Sequence, residues 1–418
     1  MRPAATSPPE SAAPRATRTA LAVLALLSTG HLLNDMMQSL LAAIYPLLKQ
    51  DFALSFTQIG LIALAYQVTA SLLQPAIGLY TDRKPQPHAL AVAMAFTLMG
   101  LCLVAFAPAF PLLLVGACTI GVGSAVFHPE SARMTRAAAG GRPGFGQSIF
   151  QVGGTAGSAL GPLLAAFVVA PRGRSSVAWF ALAALVGMLL AVRVSRWHAT
   201  SVPARAGRAH RAPGVPSLSR RQIAIALGLL IVLLFSKYFY LASLTSYYTF
   251  YLMSRFHVTL QSAQLHLFAF LAAVAVGTLA GGPLGDRLGR KYVIWGSILG
   301  VLPFSLALPY ADLFWTGVLT VLIGLIIASA FSAIVVFAQE LVPHRVGAVS
   351  GLFFGFAFGL GGVGAAVLGW LADHTSITYV YRLCAFLPAL GLFAAYLPDV
   401  RPRNSSAAQH TLPEAESP

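Results

Sequence analysis

The chain has 418 residues, of which 57% are apolar and only 9% charged, where a soluble domain carries roughly a quarter charged. This excludes an ordinary water-soluble enzyme and asks for lipid as the solvent. The net charge of +15 would suit nucleic acid, but Lys and Arg fall in short interruptions between long apolar runs, so the basic balance reads as membrane topology.

Residues 1–18, rich in Pro, Ala and Ser, read as a disordered cytosolic tail; no apolar segment inside them suggests a cleaved signal peptide. A bilayer core of about 30 Å needs roughly 20 helical residues at about 1.5 Å each. Apolar runs of that size occur near 19–48, 57–80, 88–109, 111–129, 146–170 and 176–194. After a basic cytosolic linker at 196–221, six more follow near 222–252, 262–283, 292–310, 313–338, 347–371 and 376–397, and 399–418 form a second cytosolic tail. The prediction is an all-α membrane protein with twelve transmembrane helices in two pseudo-symmetric six-helix bundles, 19–195 and 222–398.

The basic residues orient these spans. Alternate loops collect Arg83 and Lys84; Arg133, Arg136 and Arg142; Arg196, Arg205, Arg208, Arg211, Arg220 and Arg221; Arg287, Arg290, Lys291 and Arg345; and Arg401 and Arg403. The opposite loops hold Lys49, Arg172, Arg174 and Arg255, which places both termini in the cytoplasm of a cell (inner) membrane. Cys102, Cys118 and Cys384 lie inside apolar stretches with no metal-site or disulfide spacing, and no metal site is expected.

Sliding the chain on itself by 204 residues superimposes Phe52 on Phe256, Ala65 on Ala269, Ala76 on Ala280, Gly78 on Gly282, Asp82 on Asp286 and Arg83 on Arg287. Two parallel repeats joined by a long linker place a substrate site at the bilayer midplane between them.

Ionisable residues inside a span are the sharpest local signals, because a charge at mid-bilayer costs at least ~2.5–3.5 kcal/mol unless it faces a partner or cavity. In the first span His31, Asp35 and Gln38 share one face at i, i+4, i+7, with Asn34 adjacent. That face reads as cavity-lining. Asp35 can load and release a proton as access alternates, with His31 sharing it; a hydrogen-bonded helix contact is the plainer alternative. In the equivalent seventh span, Ser236, Tyr240, Ser243 and Tyr247 share a face and Lys237 adjoins it, a cation suited to an anionic cargo or to pairing with Asp35. Gln151 in the fifth span joins the candidate substrate-binding set. At the end of the fourth span, VFHPESAR combines His128, the helix-disrupting Pro129, and Glu130 with Arg133 at i, i+3, which reads as a gate or a capped helix end.

Two loops between spans are related: GLYTDRKP, from Gly78 to Pro85, and GPLGDRLGRK, from Gly282 to Lys291, with Gly289 and Arg290 completing the second copy. Glycines let neighbouring helices approach, an aspartate can cap a helix or pair with arginine, and the basic residues hold the loop on the cytosolic side. Here the chain resembles the major facilitator superfamily, whose signature is a G-x-L-x-D-R-x-G-R-R/K loop; the first copy lacks its second glycine. The resemblance implies a gating role for Gly78, Asp82, Arg83, Gly282, Asp286, Arg287, Gly289 and Arg290.

The fifth span, GQSIFQVGGTAGSALGPLLAA, carries Gly157, Gly161 and Pro162 as G-x-x-x-G-P and resembles in part the antiporter signature of drug and proton exchangers; Ser148, Ala165 and Ala166 stand where that signature has glycines. As a small-residue face it equally serves helix packing. Ala117 occupies the place, just before Gly121 and Gly123, where exporters of the superfamily usually carry an arginine.

HLLNDMMQSLLAAIYPLL, TASLLQPAIG and VFHPESAR, together with the fifth span, resemble the fosmidomycin resistance protein family, a branch of the major facilitators that exports a small anionic phosphonate hydroxamate. The resemblance covers nearly all spans. It implies proton-coupled efflux by alternating access, with Lys237, His128 or Arg382 as cationic contacts for the cargo. The chain has no G-x-x-x-x-G-K-S/T loop, so a proton gradient and no cofactor is expected as the energy source. The expected partners are a small-molecule substrate, protons and the lipid bilayer; no nucleic acid is expected, and no oligomer is required. Proton-coupled uptake of a metabolite is the alternative.

Overall fold

A computed structural model describes residues 13–83, 86, 88–139, 143–201, 218–342 and 346–398. Every regular element among these residues is helical. The first half holds α1 (Ala13–Ala43), α2 (Phe56–Arg83), α3 (Ala89–Phe106), α4 (Phe110–Ala138), α5 (Pro143–Leu164) and α6 (Ala181–Ser201). The second holds α7 (Arg220–Phe256), α8 (Leu260–Leu288), α9 (Arg290–Leu299), α10 (Leu313–Ala328, resuming at Ala330–Leu341), α11 (Val346–His374) and α12 (Ile377–Cys384, continuing as a tighter helix at Leu387–Tyr396).

Eleven of the described helical segments are long and apolar enough to cross a membrane. The remaining long helix is α1, whose apolar run is interrupted by His31, Asn34, Asp35 and Gln38. It is no surface element, because it packs along α5 and α6. The polar face that lowers its hydropathy is turned into the bundle.

Several ends differ from the expected boundaries. α1 starts at Ala13, inside the stretch read as a tail, and α6 runs on to Ser201, beyond 195. α7 starts at Arg220, where the Ser219 side chain accepts from the Gln222 backbone and Gln222 reaches back, a reciprocal cap that fixes the helix start. Residues 1–12, 202–217 and 399–418, which carry most of the expected tails and linker, lie outside the described residues.

The repeat is visible in the backbone. The two non-glycine residues with positive φ among the described residues are Ala53 (50°) and His257 (54°), 204 positions apart, each three residues before the second long helix of its half, α2 at Phe56 and α8 at Leu260. A left-handed residue there turns the chain sharply into the second helix of each bundle.

The halves meet through α2 against α11 and through α5 against α8. Call the membrane face bearing the start of α1 the terminal face and the other the distal face. The recorded α2–α11 contacts begin at the distal end, where Asp373 meets Phe56 and Thr57, and continue through Ala365 beside Gly60 and Gly361 beside Gln67 to Gly359 beside Ser71. One turn further on, Gly355 meets open space, and Leu352, Phe356, Leu72 and Tyr80 are exposed. Among the described residues, the two halves therefore touch along this pair from the distal end to about mid-helix.

Candidate functional site

The site begins with close packing of α1 on α5. A Cβ at Gly157 would collide with the Leu32 carbonyl, and one at Gly161 with Ser39, so these glycines let α1 lie almost backbone to backbone on α5. Pro162, which cannot donate to the helical ladder, is followed directly by a π-helical turn over Ala165–Val169. The G-x-x-x-G-P string thus builds the α1–α5 seam within one half.

That seam sets His31. Its ring stacks on Phe150 with centroids 3.9 Å apart, and its Nδ1–H donates to the Phe150 carbonyl at 2.8 Å. A carbonyl can only accept, so the proton sits on Nδ1 and Nε2 is left to face Asp35 Oδ2 at 3.2 Å. From α4, His128 is held the same way: Nδ1–H donates to the Ser124 carbonyl at 3.0 Å, and Nε2 lies 3.6 Å from Asp35 Oδ1. Asn34 Nδ2 donates to that same Oδ1 at 3.0 Å. One turn away, Gln38 Oε1 accepts from the Tyr66 hydroxyl at 2.5 Å and from Ser124 Oγ at 3.3 Å.

Burial grades the cluster. The His31 side chain is 3% exposed, against 18% for Asp35 and 22% for His128, so His31 is innermost and His128 stands at the mouth. Gln38 Nε2 and Asn34 Oδ1 are buried with no hydrogen-bond partner, two polar atoms left available to a ligand or water. Among the described residues, His31, Asp35 and His128 form the one histidine and acidic group whose ligand atoms all lie within 4.8 Å of each other, close enough to share a cation.

In the second half, Lys237 is 3% exposed. Its Nζ lies 5.6 Å from the ring centroids of both Tyr238 and Phe331. No acceptor or acid among the described residues lies within bonding distance of it. An amine buried against aromatic faces, with no acid in reach among the described residues, is poorly stabilised as a cation and gains from an anion.

The structure does not bring the rest of the expected substrate set to this place. Tyr240, Ser243 and Tyr247 are buried: Ser243 Oγ donates to the Tyr240 carbonyl, the Tyr247 hydroxyl donates to the Ala365 carbonyl at 2.6 Å and lies 3.4 Å from the Phe56 carbonyl of the first half, and the Tyr240 hydroxyl is buried with no hydrogen-bond partner. That face of α7 packs on α11 and α12, where Tyr247 bonds neighbouring backbone, Ser243 bonds its own helix and the Tyr240 hydroxyl stays unpartnered. Ser236 likewise donates to the Leu387 carbonyl. Arg382 is exposed, with its guanidinium over Tyr310, at the distal end of α12 and away from Lys237. His128 joins Asp35 instead of forming a separate cargo contact. Gln151 is half-buried on α5 beside Phe150.

Of the expected gate, Gly78 sits 3.8 Å (Cβ position) from Pro129. Glu130 is fully buried and accepts from Arg133 at 2.6 Å. The string at 126–130, VFHPE, is echoed at 336–340 as VFAQE, and Glu340 there pairs with Arg290. Gly289, the last glycine of the signature, has φ 93° at the start of α9, a conformation that strains any residue with a Cβ. The side chains of Asp82, Arg83, Asp286 and Arg287, with Gly282, lie outside those described.

Sequence reasoning passed over Tyr66, Ser124 and Asp373. Tyr66 and Ser124 lie in helices with other polar residues nearby, Gln67 and His128 among them, and carry no local signal of sharing Gln38. Asp373 lies just past the expected end of its span, where an acid reads as a loop residue.

Comparison with known proteins agrees with this architecture. The sequence model of the Major Facilitator Superfamily matches residues 27–363 and 230–416. The chain is 59% identical to the fosmidomycin resistance protein of Escherichia coli (strain K12) over 384 residues, 92% of this chain and 94% of that one. It is 38% identical to the uncharacterized MFS-type transporter YfnC of Bacillus subtilis (strain 168), over 91% and 94% of the two chains. Among solved structures it is similar to a bacterial homologue of the human lysosomal transporter Spinster in an inward-facing, occupied conformation, with TM-score 0.72, 15% identity and coverage of 90% and 96%. A variant of the nucleoside transporter NupG gives TM-score 0.69 at 16% identity, covering 91% and 100%. The twelve-helix pattern, the internal repeat, the signature loops and these matches together establish that the chain belongs to the Major Facilitator Superfamily, as a multi-pass membrane transporter of the fosmidomycin resistance branch.

Proposed function

We propose that the protein exports a small anionic, fosmidomycin-like compound in exchange for protons, by rocking one six-helix half against the other. The observation that carries this reading is the Asp35 carboxylate held between two histidines in the first half, together with Lys237, buried with no acid in reach among the described residues, on the equivalent helix of the second. Asp35 and His31 take the proton, while Lys237, Asn34 and Gln38 offer polar contacts to the cargo. The 59% identity to a protein named for fosmidomycin resistance supports the direction and the class of cargo. The basic loops support a cell membrane location with the terminal face toward the cytoplasm. The signature loops latch the cytoplasmic gate, the proton gradient is the only energy source, and a single chain suffices.

The test is accumulation in everted vesicles. Acidified by respiration, they take up labelled fosmidomycin, and an uncoupler abolishes the uptake. Ala117, where exporters usually carry arginine, favours proton-driven uptake as the rival, in which case right-side-out vesicles with an inward proton gradient accumulate the compound instead.

A further inference from the structure

Both histidines beside Asp35 are fixed in one tautomer by backbone. Nδ1–H of His31 is committed to the Phe150 carbonyl and Nδ1–H of His128 to the Ser124 carbonyl, so in their neutral forms both rings aim an Nε2 lone pair at the same carboxylate. An ionised carboxylate only accepts. Lone pair against lone pair at 3.2 Å is repulsive, so the His31–Asp35 contact needs a proton between its atoms. The His128 contact, at 3.6 Å, is an ion-pair distance and not a formed hydrogen bond; it is the place for a second, more loosely held proton. It also lies nearer the mouth, with Asp35 sharing its exposure.

We infer that His128 is a second proton carrier, and that His31, Asp35 and His128 load and release two protons per transport cycle. This rests on the proton-exchange reading above and adds the count. The unloaded cluster carries one negative charge; with both protons it carries one positive charge, and no other group need change. The titratable side chains facing it among the described residues are His31 and Asp35 on α1, Tyr66 on α2 and His128 on α4. Among the described residues of α5, the Phe150 ring and carbonyl and the backbone of Gly154 face it. Glu130, the next acid along α4, is engaged by Arg133.

Two measurements test it. Nitrogen-15 NMR of histidine-labelled protein in nanodiscs, assigned with His31→Gln and His128→Gln, reads each ring directly. The expectation is that Nδ1 of both rings stays protonated from about pH 9 to about pH 5, while both Nε2 atoms gain a proton on the way down. A His128 Nε2 that never protonates overturns the inference, as do Nε2 signals that a chelator alters, which would mark a bound metal ion in place of protons. The second measurement is the equilibrium ratio of fosmidomycin across vesicles clamped at zero membrane potential. Two protons per cargo make a tenfold proton gradient sustain about a hundredfold cargo gradient, and His128→Gln reduces this to about tenfold. A tenfold ratio in both proteins defeats the two-proton count and leaves proton exchange standing. No proton movement in the wild type defeats both.

Discussion

Asp373, in the last turn of α11, accepts both the backbone N–H and the hydroxyl of Thr57 across the interface between halves, at 2.7 and 2.6 Å, and also takes the Phe56 N–H at 2.8 Å. A carboxylate from one half thus caps the first turn of α2 in the other, where free N–H groups and the helix dipole favour negative charge. This cap holds the distal end shut. Loss of an N-cap costs about 0.5–2 kcal/mol, so Asp373→Ala should raise the population of distal-open protein about two- to thirtyfold. Spin labels at the exposed Gln50 and Thr375 report it as a new, longer distance by electron–electron double resonance. An unchanged distance distribution would show that apolar packing alone closes that end.

Gly154 leaves room for the His31 ring, with which a Cβ there would overlap. Gly154→Ala should therefore push His31 off Phe150, cost about 1–3 kcal/mol of stability, and impair proton coupling more than cargo binding. Melting temperature, binding and vesicle proton flux, measured on the same preparation, separate these effects. Equal losses in all three would mean simple misfolding.

Lys237 gives a prediction with two signs. Lys237→Met removes a buried amine that no acid among the described residues compensates, so the variant should melt no lower than wild type. The same change should weaken binding of an anionic cargo by at least about tenfold, the worth of one charge-assisted contact of ~1.5–3 kcal/mol. Calorimetric binding of fosmidomycin beside a melting curve checks both. A lower melting temperature with unchanged affinity would make Lys237 a structural residue.

Gly289 tests the signature loop. Gly289→Ala forces a Cβ into a backbone at φ 93°, at a cost of about 1–3 kcal/mol. Transport should fall while apolar packing of the bundles persists, readable as lost uptake in protein that still elutes as a single species in detergent. Full activity would show that the junction of α8 and α9 tolerates another conformation.

These predictions rest unevenly on what the sequence made legible. The helix count, the repeat and the polar face of α1 follow from hydropathy, a fixed offset and a 3.6-residue period, all local properties. His31 and Asp35 were visible because a charge in a span is costly wherever the helix lies. On the α7 face periodicity shows that Tyr240, Ser243 and Tyr247 are aligned but not which of them bonds backbone, as Tyr247 does, and which keeps an unpartnered hydroxyl, as Tyr240 does. His128 and Asp373 draw their meaning from partners on other helices, 93 and 316 residues distant, and no local pattern encodes that pairing.

The role of Asp35 is tested most directly by fosmidomycin-induced alkalinisation of acid-loaded everted vesicles, followed with a fluorescent pH probe. Wild-type protein should discharge the gradient when the compound is added, and Asp35→Asn, expressed to the same level and binding the compound, should not. An Asp35→Asn protein that discharges the gradient at the wild-type rate would contradict the assignment of proton coupling to this carboxylate.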